Sequence, residues 1–156
     1  MLEINVPGYK NLVLSHLVLD YNGTMAVDGV LIAGVEQALK ELAQHLTIHV
    51  VTADTFGLAR SQLTGISCNL HILDVADQAE AKRRFVAALG PEKVVCIGNG
   101  RNDRLMLKEA VLGIAVIQAE GAAVETCLSA TLICSRILDA LRLLREPKRL
   151  IASLRG

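Results

Sequence analysis

Three clusters of polar residues each come directly after a short apolar run. The clusters occupy residues 20–24, 52–54 and 98–103. In a parallel α/β sheet the carboxyl ends of the strands meet at one edge, and ligands bind in the crevice outside that edge. We therefore expect the three clusters to surround a single cleft.

The first and third clusters supply oxygen atoms that suit a divalent cation. Asp20 can point a carboxylate into the cleft from the end of its strand, and the turn after it can present the backbone amides of Gly23 and Thr24 to an anion. Asp103 supplies a second carboxylate across the cleft, and Asn99 supplies an amide oxygen. Oxygen ligands of this kind are typical of Mg²⁺ sites.

Two further side chains can act on a bound phosphate. Thr52, with Ala53 next to it in the same turn, places a hydroxyl donor at the second strand end, and Lys82 lies in the helix before the third cluster. A lysine at this point can neutralise both a carboxylate and a phosphate oxygen. Each residue alone has an ordinary structural explanation, since a strand-end Asp is usually a turn former or a helix cap. Their order and spacing together favour a phosphate site.

The apolar pattern indicates which elements position these residues. Short runs rich in branched side chains are typical of buried parallel strands. They occupy residues 17–19, 48–51, 70–73, 94–97, 114–117 and 131–133. Stretches with apolar residues at helical spacing lie between the runs, from Val35 to Leu46, from Ala76 to Leu89 and from Ile137 to Leu144. The alternation predicts an α/β fold, a doubly wound parallel sheet with helices on both faces.

The order of these motifs resembles that of the haloacid dehalogenase-like (HAD) phosphohydrolases. Residues 20–24, Asp-Tyr-Asn-Gly-Thr, are similar to the first motif of that family, Asp-x-Asp-Gly-Thr. Thr52, Lys82 and residues 98–103 are similar to its second, third and fourth motifs. The resemblance covers residues 17–124 and is closest to the phosphorylation domain of P-type ATPases.

The resemblance implies a phosphoryl transfer in two steps. Asp20 attacks phosphorus and forms an aspartyl-phosphate. Mg²⁺ lies between Asp20, the backbone carbonyl of Asn22 and the side chains of the fourth motif, Asn99 and Asp103. Thr52 and Lys82 hold the phosphate oxygens as charge spreads in the transition state.

Two positions depart from the family pattern. Phosphatases of the family carry an Asp where this chain has Asn22, and that Asp protonates the leaving group and then activates water, which an amide cannot do. Asn99 stands where the family usually has a metal-binding Asp. The two differences remove two negative charges from the site, so Mg²⁺ should bind more weakly while a phosphate dianion is repelled less.

Composition limits the classes of partner. The chain has 156 residues, one domain's worth, with 16 Lys and Arg against 16 Asp and Glu, so its formal net charge is zero. A neutral chain with two Phe, two Tyr and no Trp is unlike a nucleic-acid binder. The beginning of the chain does not resemble a signal peptide, and no apolar run is long enough to span a membrane. We expect a cytoplasmic protein without nucleic-acid or membrane partners.

The intervals between the motifs leave no room for a cap domain. Only 27 residues separate Thr24 from Thr52, and 29 separate Thr52 from Lys82. The sequence therefore predicts a single capless HAD-like domain over residues 1–156. Residues 25–31 alternate around Asp28-Gly29, which predicts a hairpin flap beside Asp20 that could gate the cleft. Because capless relatives often cover the site with a neighbouring subunit, we expect a homo-oligomer.

Two functional hypotheses remain open. The first is a Mg²⁺-dependent phosphohydrolase that works through an Asp20 phosphoenzyme on a phosphorylated small molecule or acyl phosphate, slowly because of Asn22. The second is a phosphorylation-dependent regulator or binding module with little turnover. A response-regulator receiver domain is a poor third alternative, because that domain carries an acidic pair before its phosphorylated Asp and this chain has none.

Overall fold

A computed structural model describes residues 1–74 and 76–156. Its strands are β1 (Leu2–Val6), β2 (Lys10–Leu14), β3 (His16–Leu19), β4 (Ala26–Val27), β5 (Val30–Leu31), β6 (Thr47–Thr52), β7 (Asn69–Ile72), β8 (Val94–Gly98), β9 (Leu112–Val116) and β10 (Leu132–Cys134). Its α-helices are α1 (Val35–Leu42), α2 (Ala59–Gln62), α3 (Gln78–Leu89), α4 (Arg104–Glu109), α5 (Val124–Ser129), α6 (Ile137–Arg145) and α7 (Pro147–Leu154).

Within the described residues, six strands form a parallel sheet in the order β10-β9-β8-β3-β6-β7. Helices cover both of its faces. Leu17 and Leu19 pack in one core with residues of α1 and α6, whereas Val18 packs in a second core with residues of α3 and α4. This double covering explains why β8 and β9 are buried along their whole length and read as continuous apolar runs. The predicted doubly wound α/β fold is confirmed.

Helix ends depart from the apolar pattern by a few residues. The pattern that begins at Val35 continues to Leu46, but α1 ends at Leu42 and the chain makes turns before β6 begins at Thr47. Leu46 is buried from this turn rather than from the helix. The stretch from Ala76 becomes α3 only at Gln78.

Two antiparallel hairpins lie outside the sheet. β1 and β2 pair near the beginning of the chain, and their turn contacts the last residue, because the Gly156 N–H donates to the Pro7 carbonyl at 3.1 Å. β4 and β5 form the second hairpin, which we call the flap. Asp28 and Gly29 at its tip both have positive φ, as the tight turn of such a hairpin requires.

Three histidines from neighbouring strands form a row across the sheet. His16 Nδ1 lies 3.3 Å from His49 Nε2, and His49 Nδ1 lies 3.4 Å from His71 Nε2. Phe85 of α3 packs against the rings of His49 and His71. Burial, together with the two neighbouring imidazoles, lowers the pKa of His49 to about 4. The row is therefore uncharged at its centre at neutral pH.

In the part of the chain that the structure describes, no helix has the length and apolar character needed to cross a membrane.

Candidate active site

The ends of β3, β6 and β8 bring the three polar clusters together. β3 lies between the other two strands, with Leu19 paired to Val50 on one side and to Ile97 on the other. The Asp20 N–H continues the ladder by donating to the Ile97 carbonyl at 3.1 Å. The cleft at this edge has a volume of about 120 Å³. Its lining, among the described residues, is polar and consists of Asp20, Asn22, Thr52, Ala53, Thr55, Gln78, Asn99, Gly100 and Asn102.

A buried lysine joins two carboxylates at the floor of the cleft. Lys82 Nζ donates to Asp20 Oδ1 at 2.6 Å and to Asp103 Oδ1 at 2.7 Å, and both Lys82 and Asp103 are fully buried. The second oxygen of Asp103 accepts the N–H groups of Asn99 and Gly100 at 3.0 and 2.9 Å. Every oxygen of Asp103 is thus engaged, and neither Asp103 nor Lys82 is among the residues that line the cleft.

This arrangement sets the charge states of the pair. Burial alone would lower the pKa of Lys82, but the Asp103 and Asp20 carboxylates outweigh it and raise that pKa above its usual range. Lys82 therefore stays protonated at any physiological pH. For Asp20, burial and then the Asp103 charge raise the pKa to about 6, against the opposing effect of Lys82. Asp20 is therefore ionised at neutral pH, but its ionisation costs more free energy in the folded chain than in the unfolded chain.

This cost predicts a pH-dependent difference in stability between the wild type and Asp20→Asn. The unfolded chain ionises Asp20 near pH 4, the folded chain near pH 6, so wild-type stability falls as pH rises between these values. The amide of the variant can still accept from Lys82 but does not ionise. We expect the variant's advantage in unfolding free energy to grow by roughly 2–3 kcal/mol between pH 4 and pH 7. Denaturant unfolding in EDTA measures it, and an advantage that does not change with pH would contradict the assignment.

Asn22 and Asn99 present amide oxygens beside Asp20. The Asn22 Oδ1 atom is buried and has no hydrogen-bond partner among the described residues. The Asn99 Oδ1 atom accepts from the Thr24 hydroxyl at 3.1 Å, while its Nδ2 atom donates to the Gly121 carbonyl at 3.0 Å. A hydrogen bond on each end holds the Asn99 amide in one orientation, with its oxygen on the Asp20 side.

These oxygens fit a Mg²⁺ ion. The ion accepts carboxylate, carbonyl and amide oxygens and usually keeps several water ligands, so the Asp20 carboxylate, the Asn22 backbone carbonyl and the Asn99 amide are a sufficient protein contribution. The described lining of the cleft supplies oxygen atoms and includes neither Cys nor His, so this donor set suits a hard, partly hydrated ion rather than zinc.

The turn after Asp20 does not present its amides to an anion, which corrects the expectation for Gly23 and Thr24. The Gly23 N–H donates to the Ala26 carbonyl, and the Thr24 N–H donates to the Tyr21 carbonyl. The Thr24 hydroxyl also points inward, 3.3 Å from Asp20 Oδ2. Gly23 has a positive φ, and a Cβ there would lie 2.4 Å from Asn99 Nδ2, so this turn needs glycine to let Asn99 approach.

Thr52 and Ala53 do line the cleft, as expected from the sequence. The Thr52 oxygen accepts the Asp54 N–H at 3.0 Å, which leaves its O–H free to donate into the cleft. Asp54 itself has a positive φ and accepts the Ala59 N–H, so it holds the loop after β6 in place.

Four lining residues, Thr55, Gln78, Gly100 and Asn102, were not predicted from the sequence. Thr55 follows the second motif, and Asn102 donates to Gln78 Oε1 at 2.7 Å across the mouth of the cleft. Asn102 lies inside the fourth motif, whose polar character was a usable signal. Gln78 carried no such signal, since only the packing of α3 brings it to the cleft.

Comparison with solved structures gives the same fold. The crystal structure of 3-deoxy-D-manno-octulosonate 8-phosphate phosphatase from Moraxella catarrhalis, with magnesium, phosphate and the sugar acid bound, superposes with a TM-score of 0.71 at 15% identity, over 91% of this chain and 94% of that one. A HAD superfamily (subfamily III A) hydrolase from Legionella pneumophila superposes with a TM-score of 0.68 at 16% identity, over 90% and 88% of the two chains.

Sequence comparison also finds similarity to a phosphatase. Phosphoserine phosphatase from Streptomyces coelicolor is 34% identical over 111 residues, which is 70% of this chain and 26% of that protein. This chain has the fold of the HAD hydrolases. An uncharacterised protein from Methanocaldococcus jannaschii is 50% identical to this chain over 64 residues, 41% of this chain and 69% of that protein. This chain spans only about a quarter of the phosphoserine phosphatase. No family model matches it.

The comparisons bear on some of the expectations and leave others as predictions. A divalent cation as the cofactor is in line with the magnesium found in the solved HAD-fold structure. The closer likeness to P-type ATPases, the homo-oligomer, the cytoplasmic location and the absence of nucleic-acid and membrane partners stay predictions.

Proposed function

We propose that this protein is a divalent-metal-dependent phosphohydrolase of small phosphorylated molecules, with Asp20 as its nucleophile. The observation that carries the proposal is the Asp20 carboxylate, held by Lys82 at 2.6 Å on the floor of a small polar cleft. The names of the two phosphatases above support a phosphorylated small molecule as the substrate class.

In the first step an Asp20 oxygen attacks phosphorus, the bond from phosphorus to the leaving oxygen breaks, and an aspartyl-phosphate forms. Lys82 holds Asp20 Oδ1 at 2.6 Å, so the attack comes from Oδ2, which has a longer contact of 3.3 Å with the Thr24 hydroxyl. The Thr52 hydroxyl donates to a phosphate oxygen as charge spreads over the group. Asp20, Asn22 and Asn99 would hold Mg²⁺, which offsets negative charge on the phosphate when it is bound.

The second step releases phosphate. Water attacks phosphorus, the bond from phosphorus to the Asp20 oxygen breaks, and the carboxylate is restored. Asn22 can neither protonate the leaving group in the first step nor take a proton from water in the second. Turnover is therefore slow, and the first step favours leaving groups that depart without a proton, as in acyl and aryl phosphates.

A second candidate function follows from Asn22. If water attack is slow enough, Asp20 remains phosphorylated and the protein works as a phosphorylation-dependent regulator. The flap begins within a few residues of Asp20, which would let the phosphorylated state alter that surface.

A time course with acetyl phosphate distinguishes these functions. We expect Mg²⁺-dependent phosphate release that is absent in EDTA and in Asp20→Asn, because the variant has no nucleophile. Free phosphate and the mass of the intact protein are followed together. A phosphorylated protein that accumulates without release would favour the regulator. If neither signal exceeds that of Asp20→Asn, Asp20 is not a nucleophile and the proposed function is wrong.

A further inference from the structure

An apolar surface lies where the flap meets the loop after β6. Its members are Val30, Phe56 and Leu58, with 53%, 50% and 37% of their surface exposed, and we call it the lip. The two segments are in close contact, since a Cβ on Gly29 would lie 2.8 Å from Phe56 Cβ and 2.9 Å from Leu58 Cδ1. Contiguous exposed apolar patches rimmed by polar residues mark interaction sites and ligand-binding grooves.

Hydrogen bonds hold both halves of the lip in position. The Tyr21 hydroxyl donates to the Gly29 carbonyl at 2.7 Å, and the Leu31 N–H donates to Gln62 Oε1 at 3.0 Å. The Gly57 N–H closes a turn with the Asp54 carbonyl at 2.8 Å, with Phe56 inside the turn. The lip is therefore already formed in the absence of a ligand.

The lip adjoins the cleft. Tyr21, which anchors the flap, follows Asp20 directly in the chain, and Phe56 follows Thr55, which lines the cleft. The cleft holds only about 120 Å³, far less than the roughly 300–1,000 Å³ of a pocket that encloses a whole small molecule. It can accommodate a phosphoryl group, but the rest of a substrate must lie on the rim.

The opposite rim has a different character. A separate cavity there is lined by Asp77, Arg101 and Arg104, among others, and it shares Gln78 and Asn102 with the cleft. Both arginines lie within ion-pair distance of Glu125, at 3.2 and 3.6 Å. This side presents charged side chains, and its two arginines are paired with a carboxylate, so it provides no apolar contact surface.

We propose that the lip binds the leaving group and that the preferred substrates carry an apolar group, aromatic or branched aliphatic, next to the phosphate. The inference rests on the proposed function and narrows its substrate class. It agrees with the lack of a proton donor at Asn22, because aryl phosphates combine an apolar face with a leaving group that needs no proton. The apolar surface comes from the lip, whereas the lack of a proton donor comes from Asn22.

Binding of two phosphonates to the full chain tests this inference without requiring turnover. Phenylphosphonate and methylphosphonate share the same acidic group and differ in the apolar part. With Mg²⁺ present, calorimetry should give phenylphosphonate roughly tenfold tighter binding, as expected for burying about 50 Å² of apolar surface. Phe56→Ala should reduce the ratio to near one, and Phe56→Leu should keep part of it. Leu128→Ala removes a side chain that is 82% exposed on α5 and should leave the ratio unchanged.

The outcomes separate the inference from the function on which it rests. Equal binding of the two phosphonates by the wild type, or a ratio that Phe56→Ala leaves intact, overturns the lip as the leaving-group site. If acetyl phosphate is still hydrolysed through Asp20 in that case, the phosphohydrolase stands without it. If neither phosphonate binds and acetyl phosphate gives no signal above Asp20→Asn, both proposals fail together.

Discussion

Replacing Asn22 by aspartate is expected to raise the rate of phosphate release by about 10²–10⁴-fold, the usual contribution of general acid–base catalysis. The substitution keeps the shape of the side chain and places a carboxyl group where the Asn22 amide lines the cleft beside Asp20. Its buried Oδ1 atom has no hydrogen-bond partner among the described residues, so the new group displaces no existing bond there. A carboxyl at this point can donate a proton to the leaving oxygen and then accept one from water.

The dependence on leaving group makes this prediction specific. An alkyl phosphate needs the proton most, so its rate should gain more than that of acetyl phosphate, as steady-state assays of both substrates would reveal. Asn102→Asp is the matched control, since it adds the same charge to the cleft lining at a side chain that contacts Gln78. Equal gains for the two substrates, or an equal gain in the control, would mean that Asn22 does not occupy the acid–base position.

Replacing Lys82 by methionine is expected to lower the free energy of unfolding by about 3–5 kcal/mol at neutral pH. The ammonium is the shared partner of Asp20 and Asp103, and its removal leaves two buried carboxylates facing each other without a counter-charge. Methionine has a similar length, so the loss comes from charge rather than from a cavity. The loss should shrink as the pH falls and the carboxylates take up protons.

Denaturant unfolding of a small set of variants measures this effect. Lys40→Met breaks an exposed ion pair with Glu36 and should cost at most about 0.5 kcal/mol. Adding Asp20→Asn to Lys82→Met removes one of the two unpaired charges and should restore part of the stability. A loss no larger than that of Lys40→Met would show that the buried triad contributes little to stability.

Much of the architecture could be predicted because strands that are buried on both faces of a sheet occur in the sequence as continuous apolar runs. β8 and β9 are apolar along their length, and a parallel sheet places their ends together whatever the loops do. The positions of Asp20, Thr52 and Asn99 follow from that rule alone. The site residues that directly follow or end strands were therefore the ones that sequence reasoning placed well.

The rest of the site depends on tertiary contacts that the local sequence pattern does not indicate. The sequence predicts Asp103 as a metal ligand. In the structure, the 3₁₀ turn before α4 directs its carboxylate to Lys82 and to the backbone N–H groups of Asn99 and Gly100. The Gly23 amide could have faced an anion, but the flap returns the Ala26 carbonyl to it. The nearness of Phe56 to Gly29 joins two loops that are far apart in the chain. Each outcome is decided by tertiary contacts rather than by propensity.

The two hydrogen bonds in the row of His16, His49 and His71 must point the same way along the row. A neutral imidazole has one N–H and one bare nitrogen, so each contact in the row needs a donor on one ring and an acceptor on the next. If His16 donates from Nδ1, then His49 must donate from Nδ1 to His71. If His71 donates from Nε2, then His49 must donate from Nε2 to His16, and His16 carries its proton on its own Nε2. The central ring thus couples the tautomers of its neighbours, and the neutral row has two states of opposite polarity that interconvert only when all three protons move.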